Sequence, residues 1–208
     1  MKKTIFISAY NPFIARNIFN TGVLGDLRKQ TDLQIVLLVP ADKKDFMEKY
    51  YGGDNIFVEA RDFEEYINKN KFWYRLAFLL QNTRYVKDQR AERLWKNKNL
   101  FRYLNYWLVS LSALILSNLP LARKIYRNLD YHFSSQNAFS EFFEKHQPLL
   151  VFSTDIFGET DIFLIREARS RAIPIIGMVR SWDNPTTKGI LRVIPEKIIV
   201  NSPVMKEE

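Results

Sequence analysis

Six short, nearly continuous apolar segments recur along the chain, and each is bounded by residues that end strands. Segments of this length in which almost every side chain is apolar are typical of strands covered on both faces of a sheet. The predicted strands are Thr4–Ser8, Leu33–Val39, Asn55–Val58, Leu149–Ser153, Ile173–Met178 and Lys197–Val200. Because helical segments separate them, the pattern predicts an α/β fold with a parallel sheet of about six strands and helices on both faces.

A long stretch between the third and fourth predicted strands contains helical patterns only. Helices are predicted at about 62–69, 71–82, 86–97, 100–117, 120–129 and 136–146. An ordinary crossover between parallel strands needs one helix, so most of these helices are additional to the sheet. The sequence therefore predicts a single Rossmann-like domain over residues 1–208 with a helical insertion at about 62–146.

An uncharged stretch of twenty residues lies within the insertion, from Tyr103 to Ala122. Its length matches a transmembrane helix. A single crossing, however, would put the first three and the last three strands on opposite sides of a bilayer, where they could not share a sheet. A stripe at three- to four-residue spacing runs along it: Leu104, Leu108, Leu111 and Ile115. Such a stripe either packs against the core or other helices, or lies on a membrane surface.

The charge of the chain is concentrated in the same insertion. The net charge is +8, and residues 71–130 hold twelve Lys and Arg against three Asp and Glu. The candidate membrane-surface residues are Arg84, Lys87, Arg90, Arg93, Lys96 and Trp107. A basic helix of this kind is either a solvated face or a surface attracted to anionic lipid head groups. Nucleic-acid binding uses the same charges but is the weaker interpretation, because no nucleic-acid-binding module is visible.

Several kinds of chemistry are disfavoured by composition and motifs. The chain has no cysteine and only two histidines, which argues against disulfides, cysteine-ligated zinc and a histidine-rich metal site. The turn after the first strand lacks G-x-G-x-x-G, and no P-loop, H-E-x-x-H or G-x-S-x-G occurs. We therefore expect no dinucleotide, metal or other cofactor, and a chain of the reducing cytoplasm.

Ligands of open parallel sheets bind beyond the carboxyl ends of the strands, and this rule selects the candidate site residues. After the first and fourth strands these are Ser8, Tyr10, Asn11, Thr154, Asp155 and Glu159. Asp155 or Glu159 could act as a general base or bind sugar hydroxyls. In the alternative interpretation, Thr154 or Asp155 caps the helix that follows, predicted at 158–171.

The loop after the fifth strand, 180–189, is rich in donors and acceptors around an aromatic side chain. Its candidate residues are Arg180, Ser181, Trp182, Asp183, Asn184 and Lys188. Trp182 offers an apolar face on which a sugar can stack, Asp183 and Asn184 can bind hydroxyls, and the two cations can attract a phosphate. The alternative is a structural loop in which Asp183 and Asn184 hold the turn.

Residues 149–208 carry a resemblance to a known family. The matching segments are Ser181–Asn184, Thr186–Gly189, Pro195–Val200 and Val204–Glu208. Together they resemble the end of the N-terminal domain of bacterial surface-polysaccharide glycosyltransferases with the GT-B fold. That fold is shared with UDP-N-acetylglucosamine epimerases and is similar to CDP-glycerol glycerophosphotransferases. The first strand and its Asn-Pro turn agree only generally.

The resemblance implies an acceptor-side domain that faces a cleft, with the nucleotide-sugar donor held mainly by a second domain. It implies a sugar or lipid-linked acceptor, work at the inner face of the cell membrane, and no dinucleotide. By position, residues 181–184 would line the cleft, and Asp155 or Asp183 is the candidate catalytic base. The donor-binding domain is absent from this sequence, which stops soon after a helix start at Ser202-Pro203. We therefore expect a truncated chain without transferase activity unless a partner supplies that domain.

Two other hypotheses for the function of the chain remain open. The chain could be a membrane-peripheral binding or scaffold protein that keeps the fold without catalysis. It could also be a nucleic-acid-binding α/β protein, although nucleic acid is the less expected partner.

Overall fold

The sheet predicted from the apolar segments is present. A computed structural model of the chain describes residues 3–95, 99–134 and 137–207. Its six strands are all parallel: β1 (Lys3–Ser8), β2 (Leu33–Val39), β3 (Ile56–Ala60), β4 (Leu150–Ser153), β5 (Ile175–Met178) and β6 (Lys197–Ile199). The α/β prediction is therefore confirmed.

The strands are ordered β3-β2-β1-β4-β5-β6, so the chain begins in the middle of the sheet. On one side of β1 the chain adds β2 and then β3, and on the other side it adds β4, β5 and β6. In the register, Ile5 of β1 lies opposite Ile35 of β2 and Leu150 of β4. This order reverses the direction of winding between β1 and β4, which makes their carboxyl ends the switch point of the sheet.

Helices cover both faces of the sheet. The α-helices are α1 (Gly22–Arg28), α2 (Lys44–Tyr51), α3 (Glu64–Leu79), α4 (Arg84–Trp95), α5 (Leu100–Ser117), α6 (Pro120–Phe133), α7 (Ser140–His146), α8 (Glu159–Ser170), α9 (Asn184–Thr187) and α10 (Val204–Glu207). The two helices predicted at 62–69 and 71–82 are one helix, α3, because neither Gly nor Pro separates them. The segment after β1 forms a π-helical turn at Ala15–Phe19 and then α1, whose N-cap is Thr21.

Alternating side chains of the central strands feed two apolar cores. Phe6, Val36 and Val151 point to one face, where residues of α7 and α8 cover them. Ile7 and Leu37, the next residues along β1 and β2, point to the other face and pack with α1 and α2. Both cores are needed because a parallel sheet has no solvated face, which explains the continuous apolar strands of the sequence.

The helical insertion between β3 and β4 comprises α3 to α7 and is attached to the rest of the fold by buried polar contacts. Asp130 on α6 is fully buried and forms ion pairs with Arg166 of α8 and with Arg192, which precedes β6. The Nε and Nη2 atoms of Arg192 donate to the two carboxylate oxygens of Asp130 at 2.8 and 2.7 Å. Three distant segments of the chain therefore meet at one carboxylate.

The uncharged stretch forms α5, but its apolar stripe does not face the core. Leu104, Leu108, Leu111 and Ile115 are each at least half exposed, between 53% and 66% of their surface. Of the two interpretations of this stripe, packing against the core or other helices is contradicted, because Ala113 and Ser117 are the residues of α5 that are buried.

Candidate functional site

The carboxyl ends of β1 and β4 are joined by a network of buried hydroxyl groups at the switch point. The Thr154 backbone N–H donates to Ser8 Oγ at 2.9 Å, and Thr154 Oγ1 donates to the Ser8 carbonyl at 2.8 Å. Neither side chain has exposed surface. Ser8 and Thr154, predicted as ligand-binding residues, are therefore buried inside the fold, where they hold the two strand ends together.

Asp161, in the first turn of α8, is the centre of this network and was missed in the sequence. Its Oδ1 accepts hydrogen bonds from Ser8 Oγ and from Ser153 Oγ, the latter at 2.8 Å, and from the Asp155 backbone N–H at 3.4 Å. Burial raises the pKa of Asp161 to about 7, against the opposing effect of the hydroxyl donors. The sequence hinted at Asp161 only through Ser8 and Ser153, whose hydroxyl groups at neighbouring strand ends need a hydrogen-bond acceptor.

Asp155 lies directly above the network and is paired with the loop after β5. Arg180 Nε donates to Asp155 Oδ2 at 2.8 Å, and Asp155 Oδ1 accepts from the Phe157 backbone N–H at 3.3 Å. The Arg180 guanidinium also lies 5.8 Å from the centre of the Phe13 ring. The ion pair brings the loops after β4 and β5 together, as their positions in the sequence predicted.

The turn after β1 places one aromatic side chain inside and another at the surface. Tyr10 makes edge contacts with Phe63 and Phe139, at centroid distances of 5.5 and 6.2 Å. Burial raises the pKa of Tyr10, and its hydroxyl is buried with no hydrogen-bond partner among the described residues. Asn11 Oδ1 accepts from the Phe13 backbone N–H at 3.0 Å, so Asn11 stabilises the turn that exposes Phe13.

Trp182 projects from the loop after β5 and is 74% exposed. The next residues hold the turn: Asp183 carbonyl oxygen accepts from the hydroxyls of Thr186 and Thr187, at 2.9 and 2.8 Å. Hydrogen bonding by Ser181 lowers the pKa of the Asp183 carboxyl, against a smaller effect of burial. Asn184 is buried, and its Nδ2 has no partner among the described residues. Lys188 is exposed.

The helical insertion is hydrogen-bonded to the loop after β5 that carries Trp182. Gln81, between α3 and α4, donates through Nε2 to the Pro185 carbonyl and accepts through Oε1 from the Gly189 backbone N–H at 2.8 Å. Thr83 Oγ1 donates to the Thr186 carbonyl at 2.7 Å. Gly189 has φ +83°, and a Cβ atom there would lie 3.0 Å from the Ala77 carbonyl carbon. The loop therefore requires glycine at 189, where the insertion approaches most closely.

Glu159, the first residue of α8, faces the insertion. Burial raises the pKa of its carboxyl, against the effects of Arg192 and Lys71. Its Oε2 atom is buried without a hydrogen-bond partner among the residues described. A raised pKa is the direction of shift that suits a carboxylate acting as a general base, so Glu159 stays a candidate for that role.

The predicted basic surface is only partly a surface. Arg84, Lys87 and Arg93 are exposed on α4, and Trp107 is exposed on α5. Arg90 points inward, where its Nη2 donates to the carbonyls of Phe78 and Gln81 at 2.9 and 3.1 Å. Burial lowers the pKa of Arg90. Arg90 therefore caps the carboxyl end of α3 and does not face a partner. Lys96 lies outside the described residues.

The structure thus unites residues of three loops at one edge of the sheet. The loops after β1, β4 and β5 meet through Phe13, Asp155 and Arg180, with Trp182 beside them. Within the described ranges, no group of three or more His, Asp or Glu side chains is placed to hold a metal ion. Comparison with known proteins gives no significant match to a family model, a curated protein or a solved structure. The fold and this edge define the class as an α/β protein with a Rossmann-like sheet.

Proposed function

We propose that the chain is the acceptor-side half of a glycosyltransferase of cell-surface polysaccharide synthesis. The observation that carries this proposal is the exposed Trp182, held on a braced loop beside the Asp155–Arg180 ion pair at the switch point. A rigid loop that presents an aromatic face and polar groups above strand ends is suited to a sugar ring. The resemblance of residues 149–208 points in the same direction.

The site residues have different parts in this proposal. Trp182 stacks on the acceptor sugar, and Lys188 and Arg180 attract a phosphate of a lipid-linked acceptor. Asp155 and Asp183 were the candidate bases, but Arg180 occupies one oxygen of Asp155, and the pKa of Asp183 is lowered. Glu159 is the third candidate because burial raises its pKa. No cofactor takes part, and the nucleotide-sugar donor is bound by a second domain or a partner chain.

A membrane-peripheral scaffold without catalysis is the second candidate function. The exposed apolar face of α5 favours it, because that face needs a partner whether or not the crevice binds a sugar. In both cases the expected location is the cytoplasmic face of the cell membrane, and nucleic acid is not the expected partner.

Saturation-transfer NMR on the purified chain tests the acceptor assignment. The probes are a panel of alkyl and aryl glycosides, compared with common nucleotide sugars. We expect at least one glycoside to bind and Trp182→Ala to weaken it about tenfold, a loss of about 1.4 kcal/mol. The matched control is Trp95→Ala, because Trp95 is similarly exposed, at 67%, but lies at the end of α4.

The outcomes separate the candidate functions. Glycoside binding that depends on Trp182 but not on Trp95 supports the acceptor half. No glycoside binding, or binding that both variants leave unchanged, contradicts it and favours the scaffold. Tight binding of a nucleotide sugar, or sugar transfer by the chain alone, would overturn the assignment to the acceptor side.

A further inference from the structure

Helix α5 is apolar on its outer side, and its inner side combines small side chains with the half-buried Tyr106, Val109 and Leu116. Ser110, Ala113 and Ser117 face the molecule, and Ala113 and Ser117 are buried. Leu108, 66% exposed, and Leu111, 56% exposed, face away from it. In a surface helix of a globular protein the outer side is normally polar, because burial of the larger apolar side chains stabilises the fold. The outer side of α5 therefore requires a second apolar environment.

The apolar exposure continues through the connection into α6. Fourteen large apolar side chains are exposed between residues 100 and 133: Leu100, Phe101, Tyr103, Leu104, Trp107, Leu108, Leu111, Leu114, Ile115, Leu119, Leu121, Ile125, Leu129 and Phe133. These are half of the twenty-eight exposed large apolar side chains among the described residues. Soluble monomers rarely expose contiguous apolar patches of more than a few hundred Å², so this outer face of α5 and α6 is an interaction surface.

Within α5 and α6 the charged residues at the surface are basic. Between residues 99 and 134 the basic residues are Arg102, Arg123, Lys124 and Arg127, and the one acid is Asp130. Asp130 is fully buried against Arg166 and Arg192, so it does not offset the surface charge. A partner of negative charge and apolar interior is the complementary one, and anionic phospholipid has both properties.

Three aromatic rings form a cluster near the amino-terminal end of α5. The Trp107 ring makes edge contacts with Tyr103 and Tyr106, at centroid distances of 6.2 and 5.6 Å. Trp107 and Tyr103 are 56% and 50% exposed. Tyr and Trp are favoured at the level of lipid head groups, because their apolar ring can contact lipid while their O–H or N–H group stays hydrated.

The sheet topology determines how the outer face can meet a bilayer. Helix α5 is long and apolar enough to cross a membrane, with 11% of it buried. However, β1 and β4 lie on either side of α5 in sequence and pair directly, so the chain does not cross through α5 alone. A second copy is the other occupant that an apolar face admits, and the experiment below separates it from a bilayer.

We propose that the outer face of α5 and α6 docks on the surface of a bilayer that contains anionic phospholipid, with both helices in the plane of the membrane. The leucines of α5 enter the acyl boundary. The exposed Lys124 of α6, together with Arg102 in the exposed first turn of α5, binds phosphate groups. The proposal stands on the insertion alone and does not depend on the acceptor assignment. Through Gln81 and Thr83 the same insertion is hydrogen-bonded to the Trp182 loop.

Co-sedimentation with vesicles tests the docking surface on the full chain. The vesicles are phosphatidylcholine alone and phosphatidylcholine mixed with phosphatidylglycerol. We expect at least tenfold stronger partition onto the anionic vesicles, and a decrease with added salt. The double variant Leu108→Glu with Leu111→Glu should lose at least tenfold of that partition. The matched control is Val23→Glu with Leu149→Glu, because both residues are similarly exposed, at 50% and 58%, but lie outside the insertion.

Two further measurements make the result decisive. Circular dichroism must show the same unfolding midpoint for both double variants, which separates docking from folding, and Trp107→Phe should remove most of the lipid-induced fluorescence blue shift. Equal partition of the wild type and the α5 variant would overturn the proposal, as would a wild type that stays in the supernatant. A stable dimer that the α5 substitutions dissociate would assign the same face to a second copy instead.

Discussion

The two sides of the helical insertion are built in opposite ways. The inner side buries charge, since Asp130 has no exposed surface and is enclosed by Arg166 and Arg192. On the outer side, more than half of the surface of Leu108 and of Leu111 is exposed to solvent. An inner side held by directional ion pairs fixes the insertion in one position against α8 and the segment before β6. An apolar outer side can bind a surface without a fixed register. Under the docking proposal, the insertion therefore links the Trp182 loop to an external partner.

The largest expected effect comes from breaking the buried ion pairs. Asp130→Asn removes the charge that compensates two buried guanidinium groups while keeping the shape of the side chain. Leaving a buried charge without its partner typically costs about 3–5 kcal/mol, so we expect the free energy of unfolding to fall by about that amount in urea titrations. Asp26→Asn is the control, because its ion pair with Lys29 is exposed, and it should leave stability unchanged. Equal effects of the two substitutions would contradict the conclusion that the buried ion pairs of Asp130 stabilise the fold.

A second large effect is expected from pH at the switch point. The pKa of Asp161 is raised to about 7 in the folded chain, whereas that of an unfolded Asp is about 4. The folded state then holds the proton more tightly, so the stability that this proton contributes is present below about pH 4 and is lost as pH rises through 7. At 1.36 kcal/mol per pKa unit, the loss is up to about 4 kcal/mol. Asp161→Asn should remove this dependence.

Urea midpoints of the two chains at several pH values between 4 and 8 test this prediction. The difference in stability between variant and wild type should grow in favour of the variant as pH increases, because all other titrating groups are shared. Curves that stay parallel over the whole range would show that Asp161 is ionised throughout in the folded protein.

The sheet was predictable from the sequence, and the polar contacts were not. Strands such as Leu33–Val39 were found with the correct bounds, because both faces of a central parallel strand must be apolar. The partners of Asp130 are 36 and 62 residues away. A pairing of that kind depends on which helices meet in the fold, and neither periodicity nor a short motif records it.

The candidate site was predicted in outline for a related reason. The rule that loops follow the carboxyl ends of parallel strands located Asp155 and Arg180, which are in contact. It did not distinguish Thr154, which is buried, from Trp182, which is exposed. Asp161 was missed because its side chain points inward to the strand ends, whereas the rule selects residues that face a ligand beyond them.

A smaller effect is expected where the insertion braces the Trp182 loop. Gly189→Ala forces an alanine to adopt φ +83° and brings its Cβ within 3.0 Å of the Ala77 carbonyl carbon. Strain of this kind costs about 1–3 kcal/mol. In Gly25→Ala, by contrast, the added methyl group meets nothing within 4 Å, and the helix α1 gains about 0.5–1 kcal/mol. Thermal unfolding of both variants should therefore give shifts of opposite sign. Two shifts of the same sign would contradict the close approach at Gly189.

The smallest effect is expected on the outer side of α5, and it is the sharpest test of the contrast between the two sides. Leu108→Gln replaces an exposed leucine with a residue of similar helix propensity, so the free energy of unfolding without lipid should change by less than about 0.5 kcal/mol. Ala113→Leu, on the inner side of the same helix, adds three carbon atoms at a position with no exposed surface and should cost about 1–3 kcal/mol. Urea titrations of both variants measure the difference. If Leu108→Gln were the more damaging substitution, the outer side would be packed within the fold, and no external partner would be needed to explain it.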